Sequence, residues 1–207
     1  MEPYTPFLTR RFDLALQCAS GLHHKQPRKG THIPYIAHLM SVAALVLEVG
    51  GNEDQAIAAL LHDAVEDQGG LPTLDVIRRP FGDRVADTVL ECSDSDSPDP
   101  NKKVPWHERK QAYLERLRTA SSDALLISAA DKVHNARDIL ACYREIGDEV
   151  WSRFNKQASK EDQLQYYRAL VTQFRSAGAP HGLVDELDRV VTELETLAKR
   201  PLIAAEA

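Results

Sequence analysis

Three short stretches of this chain put imidazoles and carboxylates where a buried helix would carry aliphatic side chains. His38 is flanked by Ile36, Ala37 and Leu39. His62-Asp63-Ala-Val-Glu66-Asp67 directly follows the run Ala56-Ile-Ala-Ala-Leu-Leu61. Asp131-Lys132-Val-His134-Asn135 directly follows an apolar run ending Ala129-Ala130. Positions four apart are neighbours on a helix, so His62 falls beneath Glu66 and Asp63 beneath Asp67. Carboxylates gathered in a buried segment cost several kcal/mol or take up protons. A divalent cation removes that cost, because imidazole and carboxylate both ligate it well. Asp131 and Asn135, again four apart, give the third stretch one polar edge.

Taken singly, each stretch also has an ordinary reading. His38 suits a hydrogen-bonded core histidine. Asp131-Lys132 suits a solvated ion pair, and Glu66-Asp67 suits a solvated helix end before Gly69. Their joint occurrence is what points to metal-centred chemistry.

The elements that must position these groups are helical. Helical periodicity runs over 7–22 and over 35–49, the latter with Ile36, Leu39, Met40, Ala43, Val46 and Leu47 on one face and Gly50-Gly51 closing it. Asn52 and Gln55 form a capping-box-like start for a helix containing 56–67, ended by Gly69-Gly70. A short helix over 73–79 is expected to stop near Pro80 and Gly82, and another to follow over 83–92. Residues 93–105 carry three prolines among polar residues and read as a long loop. Helices are expected again over 106–118, over 123–143 with a buried first half, from Glu149 onward, and over 183–197. No alternating strand pattern occurs. The expected fold is all-α: one helical bundle of nine or ten helices, residues 24–145 carrying the motifs and 149–198 packed on them.

Composition narrows the function classes. Of the 207 residues, 43% are hydrophobic and 27% charged, which suits one globular domain and excludes disordered and collagen-like chains. The apolar runs are broken by charge too often for a membrane span, and the first residues lack the plan of a secretory signal. Cys18, Cys92 and Cys142 are isolated, which suits a reducing, cytoplasmic setting and argues against a zinc ribbon or a disulfide scaffold. A formal net charge of −6 leaves no overall polyanion footprint, so nucleic acid is not an expected partner. A small anion remains compatible, since a metal and a few local cations reverse the sign inside a pocket.

The order His38, His62-Asp63, Asp131 resembles the metal signature of the HD superfamily of phosphohydrolases. More narrowly, the chain resembles the hydrolase domain of RelA/SpoT-type alarmone enzymes and the small alarmone hydrolases. The stretches that carry the resemblance are His24-Lys-Gln-Pro-Arg28-Lys29-Gly-Thr-His-Ile-Pro34-Tyr35-Ile-Ala-His38, Ala59-Leu-Leu-His62-Asp63-Ala-Val-Glu66-Asp67, Phe81-Gly82, Arg109-Lys110 and Ala130-Asp131-Lys132-Val-His134-Asn135. The adjacent Glu66-Asp67 is the most specific of these marks. Four places depart from the family pattern: the short His24-to-Arg28 entry without its glycine, Leu39 where proline is usual, Gln68 where threonine often stands, and the acidic Ser93-Asp94-Ser95-Asp96 in place of a Thr-Lys-type turn. None removes a metal ligand.

The resemblance implies that His38, His62, Asp63 and Asp131 hold one divalent ion, manganese in the family. It implies that Glu66 and Asp67 orient and deprotonate the attacking water. Arg28 and Lys29 match basic residues lining the nucleotide site, Asn135 matches a residue beside the nucleotide, and Tyr166 matches a ring near the sugar. Lys132 is a further cation for phosphate charge. The implied substrate is guanosine tetra- or pentaphosphate, losing its 3′-pyrophosphate. Adenosine counterparts, another phosphorylated nucleotide, and a catalytically dead nucleotide-binding module are the rival readings.

Overall fold

The buried faces expected from helical spacing come together around one long central helix. The computed structural model describes residues 8–93, 104–154 and 157–199. Among these, ten α-helical segments occur: α1 (Arg10–Leu22), α2 (Ile36–Glu48), α3 (Glu53–Leu61), α4 (Ala64–Asp67), α5 (Leu71–Phe81), α6 (Asp83–Cys92), α7 (Trp106–Arg116), α8 (Ser122–Ile146), α9 (Lys160–Ala177) and α10 (His181–Ala198). A 3-10 turn over Gly147–Arg153 links α8 towards α9. Among the described residues the only strand-like pairing is an isolated bridge between Pro27 and Pro34. The all-α expectation holds.

α8 is the hub. α2, α3, α6, α9 and α10 all pack on it, while α1 packs on α3 and α7 packs on α9. Leu39, Val42 and Val46 of α2 meet Ile57, Leu60 and Leu61 of α3 and Ile127, Ala130 and Val133 of α8 in one buried cluster. Burial of each such aliphatic side chain contributes roughly 2 kcal/mol, which offsets the desolvation of the polar groups placed at the same junction.

Local chemistry sets the ends of these helices. Asn52 and Gln55 form a complete capping box at the start of α3. α6 has the expected bounds, and α2 lies one residue inside its expected ones at each end. α5 starts earlier than expected, with Pro72 in its first turn, where a missing N–H costs nothing. The loop expected over 93–105 falls mostly on residues 94–103, outside the described residues.

One expectation is corrected. Residues 56–67 do not form a continuous helix: α3 ends at Leu61, and α4 restarts at Ala64. The imidazole Nδ1 of His62 donates to the Ala59 carbonyl at 2.8 Å. That carbonyl is the acceptor the Asp63 amide would use in an unbroken helix. The break thus falls on the two residues whose side chains are needed at the site.

Candidate metal centre and cavity

Three helices deliver four side chains to one point. His38 comes from the first turn of α2, His62 and Asp63 from the break between α3 and α4, and Asp131 from the middle of α8. His38 and His62 are 1% and 3% exposed. Donor atoms of His38, His62 and Asp131 lie within 4.8 Å of one another. Asp63 Oδ2 lies 3.4 Å from His38 Nε2 and 3.1 Å from His62 Nε2, and Asp131 Oδ1 lies 3.2 and 3.7 Å from the same two atoms. The four side chains expected as ligands therefore lie together, His38, His62 and Asp131 as one group that could hold an ion.

The electrostatics of this cluster suit a bound cation. Both Nε2 atoms are buried without a hydrogen-bond partner, despite the close carboxylates. The Ala59 carbonyl can only accept, so His62 carries its proton on Nδ1 and presents Nε2 to the cluster. His38 Nδ1 lies 2.8 Å from His134 Nδ1. With His38 protonated at Nδ1 and His134 accepting, its Nε2 is likewise free. Burial, aided by the neighbouring His38, pushes the His134 imidazole down to about 4, so it is neutral at pH 7 and able to accept.

Burial alone would lower the His62 imidazole, but the charges of Asp63 and Asp131 outweigh it and raise it well above its usual value. Burial would raise Asp131, yet Lys132 and the two imidazoles hold it well below the carboxylate range. Asp63 is depressed in the same way, with the His62 charge and the His38 contact prevailing over burial. His62, Asp63 and Asp131 are thus each shifted towards the charged form, at a place where burial opposes charge. Two imidazole nitrogens and two carboxylates around unpartnered atoms fit a divalent ion.

A cavity of about 340 Å³ is lined by Asp63 and Asp131 of the cluster, by Glu66, and by Cys142, Arg153 and Phe154 among others. That volume suits a small organic ligand. Its walls are basic: Arg28, Lys29, Arg109, Lys110, Lys132 and Arg153 all line it. Burial, then the neighbouring Arg109 and Lys110, lower the Lys29 ammonium from its usual value. Cations crowded together at a cavity wall are the arrangement expected around a polyanionic ligand.

The remaining expected residues separate. Glu66 lines the cavity, with Oε1 3.7 Å from Arg109 Nη1. Asp67, one residue on, is exposed and accepts from Gln26 Nε2 at 2.7 Å. Arg28, Lys29, Asn135 and Tyr166 all line the cavity. Asn135 Oδ1 accepts from Arg28 Nη2 at 2.8 Å, while its Nδ2 donates to Asp131 Oδ1 at 2.5 Å, so this amide bridges a metal-site carboxylate to a wall cation. Tyr166 and the adjacent Tyr167 are buried to the same degree, and both line the cavity.

Sequence reasoning missed several residues here. Tyr35 donates to Asp63 Oδ2 at 2.7 Å, and His134 backs His38. Both lie inside the motif stretches, but a lone tyrosine or histidine carries no signal of what it touches. Arg109 and Lys110 stood in a resembling stretch without a role, and Trp106, Tyr113 and Arg153 had none. Their convergence depends on how α7 and the 3-10 turn fold over α8 and α9.

Known proteins align with this geometry. Residues 15–163 match the family model described as HD domain. The chain is similar to the guanosine-3′,5′-bis(diphosphate) 3′-pyrophosphohydrolase MESH1 of Homo sapiens, 35% identical over 159 residues, covering 75% of this chain and 82% of that one. The Xenopus tropicalis protein of the same name is 37% identical over 134 residues, covering 63% and 70%. Among solved structures it is similar to a metazoan ortholog of SpoT that hydrolyzes ppGpp, with TM-score 0.72, 27% identity, and 92% and 98% of the two chains covered. It is also similar to lmo0812 from Listeria monocytogenes EGD-e, with TM-score 0.64, 29% identity, and 79% and 99% covered.

Proposed function

This chain belongs to the HD domain family, and on that premise we propose that it hydrolyses guanosine alarmones at the 3′-pyrophosphate, releasing pyrophosphate and GDP or GTP. The observation that carries the reading is the meeting of His38, His62, Asp63 and Asp131, two buried Nε2 atoms among them unpartnered, at a cavity walled by cations. The named activity of the MESH1 relatives supports the same substrate.

In this reading His38, His62, Asp63 and Asp131 would hold one divalent ion, manganese, which would supply Lewis acidity and lower the pKa of water. Glu66, facing the cavity, accepts the proton of the attacking water, and Asp67 helps to orient that water. The 3′-oxygen leaves phosphorus as the water oxygen joins it. Arg28, Lys29 and Lys132 balance charge on the phosphate oxygens, with Arg109 and Lys110 beside them. Asn135 keeps Arg28 and Asp131 in register. Tyr166 offers its ring to the sugar or base. Phosphoryl transfer asks for little beyond such positioning and charge.

We place the enzyme in the cytoplasm, acting on a small molecule without a nucleic-acid partner. Among the described residues no helix is long and apolar enough to cross a membrane. The test is incubation of the purified protein and manganese with guanosine and adenosine tetraphosphates, products resolved by chromatography. Release of pyrophosphate from the guanosine compound supports the reading. Faster release from the adenosine compound replaces the substrate, and no release from either leaves a binding module in place of an enzyme.

A further inference from the structure

We infer that Tyr35 is a positioning residue that ties the metal-site carboxylate of Asp63 to the substrate-facing guanidinium of Arg28. The inference rests on the metal reading above. Tyr35 sits at the N-cap of α2 but makes no side-chain cap there, so its side chain is free for another task.

Its hydroxyl donates to Asp63 Oδ2 at 2.7 Å, the same oxygen that lies 3.4 Å from His38 Nε2 and 3.1 Å from His62 Nε2. Asp63 needs such a restraint. It stands at the break between α3 and α4, outside the regular turns of either helix. A carboxylate fixed by a second hydrogen bond presents its remaining lone pairs in one direction, which is how groups behind a metal ligand raise its affinity.

The ring of Tyr35 holds the other end. His23, 2% exposed, stacks on it with centroids 5.1 Å apart and planes 13° from parallel. The ring meets His38 edge-on at 5.5 Å. The Arg28 guanidinium carbon lies 5.7 Å from its centroid. Arg28 is held further by Asn135 at 2.8 Å and Asp138 at 3.5 Å, both on α8. One side chain therefore touches a metal-site carboxylate, a metal-site imidazole and a cation of the cavity wall. A residue that merely filled space would need neither the hydroxyl nor the cation.

Two substitutions separate the two ends. Tyr35→Phe keeps the ring and removes the hydroxyl. Titration of metal-free protein with Mn2+, free ion read by electron paramagnetic resonance, should show affinity falling about 10- to 100-fold. At saturating Mn2+, KM should stay within about twofold of wild type, since the ring still supports Arg28. Tyr35→Leu removes both and should add a rise of roughly 3- to 10-fold in KM to the same loss of metal affinity. Unchanged Mn2+ affinity in Tyr35→Phe overturns the link to Asp63. An equal KM for the Phe and Leu variants overturns the link to Arg28. A wild-type protein that binds no Mn2+ overturns the metal reading itself, which the same titration detects separately.

Discussion

The centre at the cavity and the seam between α9 and α10 use the same kinds of charged side chain to opposite ends. In the seam, Arg168 donates to Asp188 at 2.5 Å, to Thr192 at 2.9 Å and to Glu195 at 2.9 and 3.1 Å, and Arg175 reaches Asp185 and Asp188 at 3.3 and 3.1 Å. Each carboxylate there has an arginine, and the groups stay partly in water. At the centre, carboxylates meet imidazoles whose facing nitrogens lack hydrogen bonds, and burial opposes every charge. A cluster of acids does not by itself make a site. What distinguishes the centre is burial together with two imidazole nitrogens that find no hydrogen-bond partner.

The largest test of that contrast is His62→Ala. The centre should lose Mn2+ binding, and turnover should fall by at least about 1000-fold. Manganese at about 100 times its Kd should stabilise the wild type by about 2.7 kcal/mol and should not shift the variant's unfolding temperature. Thermal unfolding with metal and with chelator reads this directly. An equal shift in both proteins would mean that the ion binds elsewhere.

Next comes the proton acceptor. Glu66→Gln should retain Mn2+ affinity and lose roughly 100- to 10,000-fold in kcat, the usual worth of a positioned base. Asp67→Asn should lose less, about tenfold, because Asp67 is exposed and held by Gln26 rather than facing the cavity. Single-turnover rates at saturating metal decide the order. A reversal would move the base to Asp67 and require that Gln26 release it.

The wall should respond more weakly and in a different constant. Arg109→Ala removes one of the crowded cations, and KM should rise about tenfold, the worth of a charge-assisted contact. The variant's KM should also depend less on salt. Initial rates at two ionic strengths test both. A fall in kcat with KM unchanged would assign Arg109 to holding Glu66, 3.7 Å away, rather than to substrate.

How far the sequence could be read follows the same division. The centre was legible because imidazoles and carboxylates interrupting aliphatic runs contradict their own helical pattern, and the family resemblance names which of them belong together. Helix ends were legible where a residue caps them, as with Asn52 and Gln55. The break at His62-Asp63 was not, because helical periodicity runs through it and its cause is a side-chain bond to Ala59. The wall was only partly legible. Arg28 and Lys29 sit on a six-residue loop closed by the Pro27–Pro34 bridge, where Gly30 adopts φ 71° and a Cβ would come within 2.9 Å of the Arg153 side chain. Arg153 and Arg109 belong to elements far along the chain, and on a helix or turn an arginine reads as solvated until the packing is known.

The smallest expected effect falls on the seam. Arg168→Ala should leave kcat and KM within about twofold of wild type and cost about 1 kcal/mol, as expected for a half-exposed network of pairs. That corresponds to roughly 2–4 °C in the unfolding temperature. The hydrogen bond from Arg168, opposed by slight burial and aided by Arg175, holds the Asp188 carboxyl below its usual value. A carboxyl depressed in the folded state contributes fully above its unfolded pKa, near 3.9, and loses that contribution as pH falls through the folded value. The gap between wild type and variant should therefore be constant from pH 7 to about 5 and close towards pH 3. A gap that persists at pH 3 would assign the stabilisation to packing of the arginine stem on α10. A fall in turnover at pH 7 would show that the seam and the centre are coupled through α8, against which α9 and α10 both pack.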